Sequence, residues 1–418
     1  MKVIGFDSWT QGWRNYNRLV DSFKEKGIDF DLIHLGSWGT EPGRPTEEVI
    51  DKLSVKDIRF YKGKTFLEIL DLEKPAAVIF LSTDAFAHRA FNRYCKKRHI
   101  PTLHLSNGLG RVQAIGKGSR YKLKLTTHIA YVLSSFGRAL KKVYPTYVKS
   151  LIVTKAPLND WIRFIRDNFS GALGFPSFRS APDAKTDKCC VFIKADVEHA
   201  INKYGYTKEE IIVVGNPDLI RFKMPETAIG SYIRNGGVSH NDIMYIDTGL
   251  IYTGWAFSSP DEFIQHIIST KEIIEQNGKH FVLKPHPLHL ESGIASRLIQ
   301  AGCDLCTDND FIDRLQKCLT CIVEPSTIAL LPNLTGMPVM LAQYGKVTGS
   351  PFGEILATYP RAIPIYNLTE IMTLLENEKK NLNIDKVRYW IEQNSGPLPA
   401  QEMPDRVTET VCEMIRRR

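Results

Sequence analysis

Lys74-Pro75-Ala76-Ala77-Val78-Ile79-Phe80-Leu81, continued through Ser82-Thr83-Asp84 into Ala85–Arg98 and then Pro101–Leu105, is the passage on which the fold turns. The run 76–81 is apolar at every position, which suits a strand covered on both faces. Residues 85–98 read as a helix and 101–105 as a second strand. Strand, helix and strand in this order imply a parallel pair joined by a right-handed crossover. Upstream, Lys2–Phe6 reads as a strand, Asn15–Lys26 as a helix capped by Gly27, and Asp29–Leu35 as a strand. Downstream, Cys189–Lys194 and Ile211–Val214 are short apolar runs.

A second alternation begins after about residue 240. Strands are expected over Asp242–Ile246, His280–Lys284, Cys303–Thr307, Cys321–Val323 and Pro338–Ala342. Helices fall between them over Ser259–Gln276, Ser292–Gln300, Phe311–Cys318 and Ser326–Leu334. The reading is therefore α/β, with two doubly wound parallel domains and a helical tail broken at Gly396-Pro397 and Pro404. A chain of 418 residues is too long for one core, which agrees with two domains of about 200 residues. The expected bounds are 1–222, 223–385 and a tail 386–418 packing back on the first domain.

Hydrophobic residues at 43% and charged residues at 24% place the chain among globular proteins and away from disordered ones. No apolar stretch approaches the roughly 18 residues of a membrane span. The first residues read as a strand instead of a signal peptide, so the expected compartment is cytoplasmic. The net charge of +8 is unevenly placed: from Ala85 through Asn159 there are fifteen Lys or Arg and no Asp or Glu. Such a block attracts anionic lipid, nucleic acid or a polyanionic substrate. Without an aromatic stacking face, nucleic acid is not expected. Cys303-x2-Cys306 and Cys318-x2-Cys321 are separated by eleven residues, short of zinc-ribbon spacing, and are read as buried reduced thiols. No metal and no cofactor are expected.

Ligands of doubly wound sheets bind at the carboxyl ends of strands, so polar residues there are the candidates. Lys284-Pro285-His286-Pro287 ends a strand with two prolines around a histidine, a stiff turn that aims an imidazole and an ammonium at one point. Glu324-Pro325-Ser326-Thr327 ends another strand and opens a helix. There Ser326 and Thr327 read equally as helix cap and anion site, and Glu324 as a partner for ribose hydroxyls. Asp247-Thr248-Gly249 ends a third strand, with a glycine that permits close backbone approach; a plain loop fits as well. In the first domain Asp7 and Asp84 each follow an apolar strand and are candidate general bases. The glycines at 108, 110, 116 and 118 lack a dinucleotide fingerprint, which excludes a nicotinamide cofactor.

Val213-Val214-Gly215-Asn216-Pro217, Leu283-Lys284-Pro285-His286-Pro287 and Glu324-Pro325-Ser326-Thr327 with Gly336-Met337-Pro338-Val339 together resemble the GT-B glycosyltransferases. More narrowly, they are similar to bacterial surface-polysaccharide enzymes with His-Pro and Ser/Thr motifs. Those include sialyl-, polysialyl- and Kdo-type transferases using CMP-activated acidic sugars, and CDP-glycerol polymerases. The resemblance covers about residues 205–345. It implies a metal-independent, inverting single displacement in capsule or lipopolysaccharide synthesis. His286, Ser326 and Thr327 would hold the donor phosphate, with Lys284, Pro285, Thr248, Gly249 and Glu324 around the nucleotide. Sialyltransferase-like members place an acidic pair before a glycine in the first domain. The counterpart here, Ser106-Asn107-Gly108, has no carboxylate, which leaves Asp7 and Asp84 open as the base. The basic block, including Arg111, Lys117, Arg120, Lys122, Lys124, Lys141 and Lys142, would either dock the enzyme peripherally on the anionic inner membrane near a lipid-linked acceptor or hold an acidic glycan.

Three alternatives use the same fold. One is CDP-glycerol transfer. Another is UDP-sugar transfer or 2-epimerisation, the epimerases differing by a Ser-Gly-Gly turn where this chain has Pro325-Ser326-Thr327. The third is a non-catalytic polyanion binder.

Overall fold

A computed structural model describes residues 1–10, 12–39, 41–109, 139–172, 181–235, 241–253 and 256–417. Arg111, Lys117, Arg120, Lys122 and Lys124 of the basic block lie outside the described residues. The described chain forms two compact units. Residues 1–108, 139–214 and 401–417 make unit 1, and Gly215–Ala400, with Leu109, makes unit 2.

Unit 1 carries an eight-stranded sheet of β1 (Lys2–Asp7), β2 (Asp29–His34), β3 (Glu47–Ile50), β4 (Leu53–Asp57), β5 (Ala77–Phe80), β6 (Thr102–Leu105), β7 (Lys188–Val191) and β8 (Ile211–Val213). Its order is β3-β4-β2-β1-β5-β6-β7-β8, parallel except for the β3–β4 hairpin. Ala77–Phe80 is buried at every position, as a strand sandwiched between helices requires. Phe6, Phe66, Phe80 and Phe91 pack against one another in the core on one face. The helix expected over 85–98 is present as Phe86–Lys97. The one expected over 15–26 is two short helices, Trp13–Asn17 and Val20–Glu25. The last helix, Met403–Arg416, buries Met403, Val407 and Val411 in this unit, and Ser22 Oγ donates to Asp405 at 2.6 Å. Pro404 does not break it: it sits in the first turn, where a missing N–H costs nothing.

Unit 2 carries β9 (Asp242–Ile246), β10 (His280–Lys284), β11 (Asp304–Leu305), β12 (Cys318–Val323), β13 (Val339–Ala342) and β14 (Ala362–Ile365). The order β11-β10-β9-β12-β13-β14 is parallel throughout. Cys318 and Cys321 are core residues of β12, and burial pushes the nearby Cys306 thiol up to about 12. Both units are thus doubly wound sheets, and in each the strand order reverses beside one central strand. The reversal lies between β1 and β5 in unit 1 and between β9 and β12 in unit 2. Those are the topological switch points at which such sheets bind ligands.

The front of the basic block is neutralised internally, which corrects its reading as a single positive field. Arg89 and Arg93 are buried, and Asp183 accepts from Arg89 Nε at 2.9 Å and from Arg93 Nε at 3.0 Å. Asp160, Asp167 and Tyr147 complete the cluster. Burial works against the Asp183 charge, but Arg89, Tyr147 and Arg93 outweigh it and hold the carboxyl below its ordinary value. Lys96 and Lys97 donate to backbone carbonyls of Lys185 and Val153.

Candidate functional site

The unit 2 switch point is built from three strand ends at one level. Ile246 pairs with Lys284 on one side and with Val323 on the other. The loops after β10 and β12 therefore leave the sheet roughly 10 Å apart, on either side of the loop after β9. Asp247, the first residue beyond β9, ties them together. Its Oδ1 accepts the Gly249 N–H at 2.8 Å and its Oδ2 the His286 N–H at 2.8 Å. His289 Nδ1 lies 2.7 Å from the same Oδ2, both side chains fully buried. Asp247 thus fixes the backbone on which His286 stands.

Two further contacts set the imidazole. His286 Nδ1 accepts the Leu288 N–H at 3.3 Å, capping the short helix Pro287–Glu291. Nε2 then carries the proton and has no internal partner among the described residues. Gly249 has φ +76°, and a Cβ there would sit 2.9 Å from His286 Cγ, so the bare backbone forms one wall of the ring. Burial lowers the His286 pKa, with His289, Lys284 and Arg221 acting in the same direction and Asp247 against them. The half-buried ring is neutral at neutral pH and offers a hydrogen bond.

Several residues expected to touch a ligand instead form the scaffold. Glu324 is fully buried: its Oε1 accepts from Tyr245 Oη at 2.6 Å, and its Oε2 from Thr248 N at 2.9 Å and Thr248 Oγ1 at 2.8 Å. It clasps the β9 and β12 loops across the switch point and does not reach outward to ribose hydroxyls. Burial, and then the Asp247 charge, push its carboxyl up to about 8 against the hydrogen bonds that oppose this. Lys284 is 3% exposed, paired with Asp308 at 2.6 Å, and donates to the Pro285 carbonyl at 3.3 Å. Arg221 Nη2 shares Asp308 at 3.1 Å. Thr248 spends its hydroxyl proton on Glu324, and Pro285 is buried.

Ser326 and Thr327 are half-buried, and Ser326 makes no side-chain cap bond. The helix expected from Ser326 is a 3-10 turn, Thr327–Ala329, followed by the short helix Leu330–Thr335. The capping reading is therefore absent, and a helix dipole contributes little. What remains is a pair of hydroxyls not spent on capping and the His286 Nε2–H. Asp247 and His289 are the residues whose roles the sequence left unassigned. His289 stands three residues after His286, a helical spacing that could have flagged it.

At the unit 1 switch point the two candidate carboxylates differ. Asp7 is 2% exposed; its Oδ1 accepts from Ser8 N at 2.7 Å, and His88 Nε2 lies 3.7 Å away. Among the described residues its Oδ2 is buried without a hydrogen-bond partner, and a Cβ on Gly12 would come within 2.8 Å of it. Asp84 is exposed at the end of the β5 loop and pairs with Lys203 Nζ at 2.9 Å. Asn107 Oδ1 accepts from Asn15 Nδ2 at 2.9 Å. Lys141 and Lys142 are exposed.

No family model and no curated protein matches the sequence. Among solved structures the chain is similar to the wall teichoic acid polymerase TagF, at 12% identity and a TM-score of 0.48, over 99% of this chain and 89% of that one. It is also similar to S. aureus MnaA with UDP, at 12% identity and 0.46, over 99% and 97%. A third similar structure is UDP-GlcNAc 2-epimerase from Neisseria meningitidis bound to UDP-GlcNAc, at 10% identity and 0.44, over all of both chains. Among the described residues no helix is long and apolar enough to cross a membrane, and no group of three or more His, Cys, Asp or Glu could hold a metal ion.

Proposed function

We propose that the chain is a GT-B-type transferase that binds the phosphate of a nucleotide-activated donor at the unit 2 switch point. The observation that carries this reading is the fixing of His286 by Asp247 and Gly249, with a protonated Nε2 left over. A neutral imidazole N–H and two hydroxyls form a donor set for phosphate oxygens, and such preorganised donors stabilise charge as it develops on a leaving phosphate. No cation is needed for that role. The scaffold residues Glu324, Thr248 and Lys284 act by holding the loops and do not touch the donor.

In this reading the finer assignment, from the motif resemblance, is a cytidine-linked donor. It carries an acidic sugar and passes it with inversion to a surface glycan or lipid-linked acceptor; CDP-glycerol and UDP-linked donors are the alternatives. Of the unit 1 carboxylates, Asp84 is assigned as the base that takes the acceptor hydroxyl proton. It is exposed, whereas Asp7 is sealed against any acceptor.

Calorimetric titration with CMP, CDP, UMP, UDP and GDP tests the proposal. Selective binding of a cytidine nucleotide, weakened at least about tenfold in His286→Ala with an unchanged melting profile, is expected. A preference for UDP moves the donor class to UDP-sugars. Binding that ignores the substitution, or no binding at all, removes the proposal.

A further inference from the structure

Unit 1 contains a cavity of about 380 Å³ that the donor chemistry does not use. Its wall on one side is the 3-10 turn Ile58–Tyr61 that follows β4 and the start of the helix Phe66–Glu73; on the other it is the helix Tyr144–Val153 and the turn before it. Lys142, Pro145, Thr146 and Lys149 line it at spacings of three, one and three residues, which is one face of a helix. Opposite stands Lys64, and the floor is Trp38, Phe66 and Tyr94. Trp38 and Phe66 stack at 5.7 Å and 12°, and Phe66 and Tyr94 are each 2% exposed.

The charges around this cavity are unbalanced. Lys64, Lys142 and Lys149 are exposed and form no ion pair among the described residues. Glu68 is the neighbouring carboxylate. It is held in the capping box of its helix by Thr65, and its pKa is lowered first by the Thr65 side chain, with Lys64 and Lys149 behind it. Arg59 also lines the cavity, but its guanidinium is spent on Asp57 and on the carbonyls of Pro42 and Arg44. Three ammonium groups thus converge on an aromatic floor with no planar fork among them. Planar carboxylates favour an arginine fork, whereas freely turning ammonium groups act as point charges suited to a tetrahedral, doubly charged anion. An aromatic floor beneath them suits an apolar group and repels a fully hydrated ion.

We propose that this cavity binds an organic phosphate carried on an apolar stem, with the phosphate taken by Lys64, Lys142 and Lys149 and the stem by Trp38, Phe66 and Tyr94. The site is independent of the donor reading for unit 2 and stands or falls separately from it.

The test uses the full chain with geranyl phosphate, inorganic phosphate and geraniol as calorimetric probes. Geranyl phosphate is expected to bind at least about tenfold more tightly than either of the others. Lys142→Ala combined with Lys149→Ala, both exposed positions whose loss leaves the core intact, is expected to weaken it about tenfold or more. Trp38→Ala should weaken geranyl phosphate while leaving inorganic phosphate unchanged. Phosphatidylcholine vesicles with and without phosphatidic acid then separate the sources. Competition only by the phosphatidic acid vesicles identifies a lipid headgroup, and no competition identifies a soluble ester; either accords with the site. The proposal is overturned if geranyl phosphate does not bind, if inorganic phosphate or geraniol binds as tightly, or if the double variant binds it unchanged.

Discussion

Replacing Asp247 by Asn tests whether the His286 turn is held from β9. The carboxylate accepts N–H groups on both oxygens, from Gly249 and from His286, and neighbours His289 Nδ1 on the second. An amide has one acceptor oxygen. Whichever way it is flipped, its NH2 meets a backbone N–H, and one buried donor loses its partner. That costs about 1–3 kcal/mol, and the lost hydrogen bond was charge-assisted, which favours the upper half of the range. For a unit of this size the melting temperature should fall by roughly 2–4 °C per kcal/mol. The flip that spares Gly249 frees the His286 N–H, and the imidazole then loses its fixed position. Nucleotide affinity should drop by about tenfold or more in calorimetry, alongside the fall in melting temperature. A variant that melts lower but binds nucleotide as tightly as the parent would refute the link between Asp247 and His286 and leave Asp247 a purely structural residue.

Two further substitutions probe the same cluster. Gly249→Ala places a methyl 2.9 Å from His286 Cγ at a backbone φ of +76°, so it should displace the ring and cost about 1–2 kcal/mol in left-handed strain. Loss of nucleotide binding is expected with a modest fall in stability, and unchanged binding counts against the wall. Glu324 has a folded pKa of about 8, above its unfolded value, so its contribution is full at low pH. As pH rises from the unfolded value through about 8, that contribution is lost at about 1.4 kcal/mol per pH unit. Glu324→Gln should flatten the fall of melting temperature between pH 6 and 8. Because Asp247 helps raise this pKa, Asp247→Asn should move the fall to lower pH. A slope identical in all three proteins would dismiss Glu324 as its source.

Much of the fold was legible because parallel strands buried on both faces leave uninterrupted apolar runs. Ala77–Phe80 and Asp242–Ile246 fall where the sequence puts them. The β3–β4 hairpin was not legible: Glu47–Ile50 is an edge strand without a fully buried position, and the alternation in Leu53–Asp57 is broken by Asp57, a charged residue at a buried position. β14 was missed because Pro364 lies within it, and a proline there is tolerated only because β14 is an edge strand. At the site, the loops were legible but the division of labour within them was not. Lys284 and Glu324 looked like ligand contacts because each ends a strand. Whether a polar residue faces outward depends on partners remote in sequence, here Asp308 and Tyr245, and those appear only once the sheet brings them together. The basic block misled for the same reason, since Asp183 lies about ninety residues from the arginines it neutralises.

That division of labour separates the two proposed anion sites by how they respond to salt. Near His286 the charges largely cancel: Lys284 and Arg221 share Asp308, and Asp247 adds a second negative charge beside a neutral ring. On the proposed reading phosphate there is held by hydrogen bonds, which added salt weakens little. In the unit 1 cavity Lys64, Lys142 and Lys149 are exposed, so their attraction for an anion is screened within a Debye length of about 10 Å at 0.1 M salt and about 3 Å at 1 M. Titrations of nucleotide and of geranyl phosphate across that range should diverge, with geranyl phosphate losing far more affinity. Equal losses for both ligands would mean that nucleotide is held by charge after all, and that the neutral reading of the His286 site is wrong.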